Sequence, residues 1–230
     1  MNEIVKYDTE LNKLDYSSLS TREQNIFMAI LAKVKNKEGS NVTLSYDEII
    51  TLADLKSNKL EDSRKHDIIE STKDKLFNIT CDIKINDDKT GQTSISFHIF
   101  DTWINSYPNK CLTLSVSPIF AKFLNNPQKF LSFPLCNFVN LNSNYSKTLY
   151  RLLKQFDNVG SFKFHSVEQF RNSLGIPDTM PNKKIKGVIE QAVKEINSKG
   201  YITDLTYSIN KDASKKGAPI KSIDFKWKIS

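Results

Sequence analysis

No apolar run in this chain approaches the roughly 18 residues needed to span a bilayer, so no membrane partner is expected. Cysteine is scarce. Cys81, Cys111 and Cys136 are isolated and odd in number, which points to free thiols in a reducing cytoplasm rather than to a disulfide framework. No two of them have zinc-site spacing. The three histidines, His66, His98 and His165, are far apart and form no His-x-His pair, so no metal is expected. A G-x-x-x-x-G-K-[ST] loop is absent, and with it the phosphate cradle of an intrinsic ATPase. The opening stretch, MNEIVKYDTELNKLDY, has no apolar h-region, so no secretory signal is expected. Together these absences leave no cofactor and no catalytic constellation in view.

What is present is a soluble, globular composition: 230 residues, 39% apolar and 26% charged, enough for one large or two small domains. The net charge of +7 is unevenly placed. Residues 138–230 hold 16 lysines and arginines against 8 aspartates and glutamates, while residues 1–137 hold 17 against 18. A basic half beside a neutral half favours a polyanionic partner for the former. Solubility alone would not explain the contrast.

The basic half centres on Lys183–Lys199, KKIKGVIEQAVKEINSK. Ile185, Val188, Ile189, Ala192 and Ile196 recur at helical spacing and form one apolar stripe. The opposite face carries Lys183, Gly187, Glu190, Gln191 and Lys194. A major groove offers such a helix phosphates for lysine and base edges for Gln and Glu. Gly187 is unusual there, since a mid-helix glycine costs about 0.8–1 kcal/mol relative to Ala. A groove-facing helix could use the missing side chain for close approach. The plainer alternative is a solvated amphipathic helix.

The order of elements repeats along the chain. Residues 1–19 read as an arm or lead-in. Ser20 and Glu23 form a capping box before a helix that stops near Glu38-Gly39. A short strand, Val42–Leu44, leads to a helix capped by Ser45, then through Lys56-Ser57-Asn58 to a third helix over about 60–76. Ile79–Ile99 alternates with period two around an Asp87–Gly91 turn and predicts a hairpin with one buried face. Helix, strand, helix, helix, hairpin is the order of a winged helix-turn-helix domain. Residues 111–137 add a strand at Leu112–Val116, a helix from Pro118 and a connector through Phe133-Pro134. The order then recurs: a helix at Tyr145–Phe156 ended by Gly160, a strand at Phe162–Phe164, a helix capped by Ser166 and stopped by Gly175 and Pro177, and the Lys183 helix. Strands over Tyr201–Ile209 and Ile223–Ile229 follow, joined by Lys211–Pro219. The expected class is α+β, with two tandem winged helix-turn-helix domains, 1–137 and 138–230.

Over Tyr145–Leu205 the residues become specific. YSKTLYRLLKQF, Gly160, VEQFRNSLGIP, KKIKGVIEQAVKEIN and Thr203-Asp204-Leu205 resemble the plasmid replication initiator family, whose members bind directly repeated origin sites, or iterons. The first half agrees in element order more than in motif. The resemblance implies two winged helices and a chain that catalyses nothing. It implies monomers that open the origin and recruit host replication proteins, in equilibrium with homodimers that bind an inverted repeat and repress their own gene. It implies that the first domain carries the dimer contacts, for which the 79–99 hairpin is the candidate, and a cytoplasmic location.

Carried onto this chain, the resemblance places Lys183, Lys184, Lys186, Gln191 and Lys194 on or beside double-stranded DNA; Gly187 joins them from the helix-face reading above. Gln191, and with it Glu190, is assigned to base reading. Lys211, Lys215, Lys216 and Lys221 on the wing lie near phosphate. In the first domain Lys59, Arg64 and Lys65 could touch the backbone, although the helix there also presents Glu61, Asp62, Asp67 and Glu70. Two rivals remain. A winged-helix transcriptional regulator would share the DNA surface without starting replication. A rolling-circle nicking initiator would need a nucleophilic tyrosine beside a His-x-His metal site; the His-x-His pair is missing, and Tyr145 and Tyr150 sit among leucines and read as core, as does Trp227. Asp204 reads as structural.

Overall fold

The segment before Ser20, expected to be a loose lead-in, belongs to the first core. The computed structural model describes residues 3–35, 37, 40–55, 60–87, 91–125, 127, 129–214 and 218–229; the side chains of 83–87 and 91–93 lie outside the described residues. The chain divides into two compact units, 1–140 and 141–230.

Unit 1 runs β1 (Ile4–Asp8), α1 (Thr21–Val34), β2 (Val42–Ser45), α2 (Tyr46–Leu52), α3 (Asp62–Phe77), β3 (Thr80–Asp87), β4 (Gly91–His98), β5 (Phe100–Ser106), β6 (Cys111–Val116), α4 (Pro118–Asn125), β7 (Phe130–Pro134) and α5 (Leu135–Val139). β1 pairs antiparallel with β7, placing Val5 opposite Phe133 and Tyr7 opposite Leu131. All four are buried. The expected connector is therefore a strand, and the lead-in is its partner. The unit extends to Asn140, past the expected end at residue 137, because α5 buries Leu135, Phe138 and Val139. Asn25 of α1 also donates to the Ala53 and Val139 carbonyls, at 3.0 and 3.2 Å.

The capping serines act as their spacing requires. Ser20 and Glu23 satisfy each other's backbone amides at 3.4 and 2.7 Å, and Ser45 accepts from Glu48 at 3.1 Å. The expected helix stop at Glu38-Gly39, the link Lys56–Asn58 and the turn tip 88–90 lie outside the described residues.

The winged-helix sheet of unit 1 is not built as expected. Among the described residues β3 and β4 pair only with each other, Cys81 opposite Phe97. The sheet that includes β2 has the order β2-β6-β5, so the β5–β6 hairpin takes the wing position. Its edge strand β5, FDTWINS, has no clean alternation of buried and exposed positions, which hid it in the sequence.

Unit 2 runs α6 (Asn144–Lys154), β8 (Ser161–Phe164), α7 (Val167–Leu174), α8 (Ile185–Ser198), β9 (Thr206–Lys211) and β10 (Ile220–Lys226). Its sheet has the order β8-β10-β9, all antiparallel. Phe164 meets Phe170 and Phe225 edge-on, with ring centroids 5.1 and 6.1 Å apart, and so joins sheet to helices. Ser166 caps α7 at 3.0 Å, and Gly175 ends it in the left-handed region, φ +66°. Tyr201–Leu205, expected as the start of a strand, is a turn; Asp204 there has φ +54°. Among the described residues no helix is long and apolar enough to cross a membrane, and no group of three His, Cys, Asp or Glu residues is placed to hold a metal ion.

Candidate nucleic-acid interface

The exposed side of α8 is set by its buried side. Ile185, Ile189, Ala192, Val193 and Ile196 are buried. Burying a stripe of this kind, at about 1.5–3 kcal/mol for each large aliphatic side chain, fixes the helix's rotation in the unit. Lys186, Gly187, Glu190, Gln191 and Lys194 are consequently exposed. Lys183 and Lys184, expected within the helix, lie in a 3-10 turn, Asn182–Lys184, immediately before it, and are also exposed. Lys184 occupies the N-cap position without a side-chain cap, so the partial positive charge of the helix start is left uncovered.

Three side chains hold this helix in place, and sequence reasoning missed the role of each. Arg171 of α7 is buried. Its guanidinium donates to the Pro177 carbonyl at 2.9 Å, to the Met180 carbonyl, and to Asn182 Oδ1 at 2.7 Å. The loop leading into α8 is thus fastened from below. Glu195 accepts from the Asn142 backbone amide at 2.6 Å and from its side-chain amide at 3.1 Å. Burial pushes the Glu195 carboxyl up, but the Ser146 hydroxyl and the amides of Asn142 and Ser143 outweigh it and hold it below the usual range. Asn197 donates to the Leu205 carbonyl at 2.7 Å and accepts the Leu205 amide at 3.1 Å, tying the helix end to the start of β9. The string Glu195-Ile196-Asn197 was visible as a motif; that Glu195 faces α6 and Asn197 faces β9 was not. Behind the helix lies Lys147 of α6, fully buried, its ammonium pushed by burial down to about 7 against the pull of Glu195.

Beside the N-terminal end of α8, an open groove of about 950 Å³ separates it from the β9–β10 hairpin. Asn182, Lys183, Lys186, Tyr207, Lys211 and Pro219 are among its lining residues. Cations thus stand on both walls. Lys221, on β10, is exposed as well. Lys215 and Lys216 lie outside the described residues. Tyr207 donates its hydroxyl to Glu190 Oε1 at 3.1 Å, and Lys186 approaches the same oxygen at 3.4 Å. Burial first, and that bond second, push the Tyr207 hydroxyl up. Glu190 is therefore a fixed acceptor, while Gln191 is held by no described partner.

The two units differ in how they use lysine. Among the described residues, unit 2 pairs Lys154 with Asp157, Lys163 with Asp224 and Lys186 with Glu190. Lys183, Lys184, Lys194, Lys211 and Lys221 have no carboxylate partner among the described residues. In unit 1, Lys13, Lys33, Lys65, Lys73, Lys75 and Lys110 are paired, while Lys6, Lys35, Lys37, Lys122 and Lys129 have no carboxylate partner among the described residues, so the difference is one of proportion. Lys65, expected beside DNA, is instead engaged within the unit. It is 7% exposed, and its ammonium lies 2.6 Å from Asp47 and 3.0 Å from Asp62. Asp47 first and Asp62 second hold it above the usual lysine value. Arg64 is exposed beside Glu61, Ser63 and Asp67. Lys59 lies outside the described residues.

Comparison with known proteins bears on both units. Residues 4–154 match the family described as Initiator Replication protein, WH1, and residues 166–227 match Initiator Rep protein, WH2. A probable replication protein rep of Bifidobacterium longum (strain NCC 2705) is 30% identical over 176 residues, which cover 76% of this chain and 57% of that protein. The chain thus spans little more than half the length of this relative. The crystal structure of the Pi initiator protein in complex with iteron DNA shares the fold, with a TM-score of 0.75 at 17% identity over 100% of this chain and 98% of that one.

Proposed function

Since the chain belongs to the initiator replication protein family, matched over both its winged-helix parts, we propose that it binds directly repeated duplex sites at a plasmid origin and so starts replication. The observation that carries this reading is the exposed side of α8 and the groove beside it, where Lys183, Lys184, Lys194 and Lys211 have no carboxylate partner among the described residues and Gln191 is exposed. Those lysines supply counterion release and affinity, and Gln191 supplies discrimination through an adenine edge. The Pi initiator, similar in fold, was solved in complex with iteron DNA, which supports duplex DNA as the partner.

In this reading unit 2 is the principal DNA-binding part. Unit 1 adds a contact from Arg64 and joins two copies of the chain through the β3–β4 hairpin. Monomers occupy the direct repeats and recruit host replication proteins in the cytoplasm; dimers occupy an inverted repeat and repress the gene. The chain itself breaks and forms no covalent bond.

Footprinting over the DNA that flanks the gene tests the proposal. Several evenly spaced, protected direct repeats are expected. A single protected palindrome would instead identify a transcriptional regulator, and no protection would overturn the reading. Gln191→Ala should lose preference for the repeats over scrambled duplex more than it loses affinity for scrambled duplex.

A further inference from the structure

We infer that Gly187 is the place where a base edge packs directly against the backbone of α8, and that its missing side chain helps determine which sequence is accepted. The inference rests on the DNA-binding reading of α8 and adds one contact to it. A Cβ built at Gly187 meets nothing within 4 Å, so packing inside the unit does not demand glycine. Nor does the backbone, since Gly187 is not among the residues of positive φ. Gly160 shows what an internal demand looks like: φ is +71°, and a Cβ would come within 3.0 Å of Ile229 and 3.1 Å of the Trp227 carbonyl.

Gly187, expected mid-helix, is the third residue of α8 and lies in its first turn; there it lowers helix propensity by less than the interior cost, still without any return from within the unit. Its position supplies an external one. Lys183 stands one turn before it and Glu190 and Gln191 one turn after, all exposed. Between those exposed side chains, in the first turn of α8, a missing side chain lets a partner approach closer by about 1.5 Å, the length of a carbon–carbon bond. In a major groove the group that approaches is a base edge, and a methyl placed there would collide with it.

The test uses the full chain, a duplex recovered by repeated selection from a randomised pool, and a scrambled duplex of the same length. Gly187→Ala should melt at a higher temperature than the parent and bind scrambled duplex unchanged. It should bind the selected duplex about tenfold or more weakly, within the range of one lost base discrimination. Unchanged affinity for the selected duplex overturns the inference. An equal loss on both duplexes also overturns it, because that pattern marks a phosphate contact. Lys183→Glu separates the two layers. If it weakens both duplexes while Gly187→Ala weakens neither, the Gly187 contact fails and the DNA face stands. If neither variant changes binding, or the parent enriches no duplex, the DNA face fails and the inference with it.

Discussion

Asn197 on α8 and Leu205 at the entrance to β9 exchange two hydrogen bonds, side-chain amide to carbonyl at 2.7 Å and backbone amide to side-chain oxygen at 3.1 Å. One side chain thereby fixes where the β9–β10 hairpin leaves α8. Asn197→Ala removes both bonds from partly buried groups, which costs about 1–3 kcal/mol. Thermal denaturation should show the loss, and DNA titration well below the melting temperature should show weaker binding in the remaining folded protein. A variant that melts early but binds as the parent does would separate the clasp from DNA recognition.

Lysines of the two units should differ in their response to salt. Lys183→Ala should reduce the slope of log affinity against log salt by about one, on any duplex. Lys65→Met should leave the slope unchanged. Its carboxylate partners are 73% and 30% exposed at the side chain and can rehydrate, so the stability loss should be near 1 kcal/mol rather than that of a buried pair. Binding measured across a salt series, with melting curves beside it, checks both statements.

Lys147 predicts a pH dependence. Its ammonium titrates near 7 in the folded chain and near 10.5 when unfolded. Between those values the unfolded chain holds a proton that the folded chain lacks. Stability from this group therefore rises as pH increases from about 7 to 10.5, and is lowest below that window. Lys147→Met should raise the melting temperature most at pH 7 and below, by a few kcal/mol in stability, with the gain vanishing above pH 10.5. A gain independent of pH would show that the charge is not responsible.

Tyr207 holds Glu190 at 3.1 Å. Tyr207→Phe deletes that bond alone, at a stability cost near 1 kcal/mol or less. Preference for a selected duplex over a scrambled one should fall severalfold, with scrambled affinity unchanged. If preference is unmoved, Glu190 does not take part in base reading.

What the sequence made legible follows from how local each signal is. The α8 stripe and the caps at Ser20, Ser45 and Ser166 depend on neighbours within one or two turns, and they appear where spacing places them. Strand β1 depends on β7 at the other end of unit 1, so nothing near Ile4–Asp8 announces it. The wing of unit 1 was assigned to residues 79–99 because their alternation is cleaner than that of the edge strand β5. Lys65 carried a signal that was overlooked: it falls at i of the stripe completed by Ile68, Ile69, Thr72 and Leu76, all buried. Arg171 carried none, since its partners are two loop carbonyls and one asparagine.

The fastening of α8 by Arg171 in front and Asn197 behind bears on imperfect target sites. On the proposed DNA-binding reading, a helix anchored at both ends has little freedom to reshape itself around a wrong base pair. The duplex must then make the adjustment, by bending or by opening a groove at its softer pyrimidine–purine steps. Variant repeats would be ranked by the compliance of their own stacking, and two sites with the same number of mismatches would be occupied unequally wherever one is stiffer than the other.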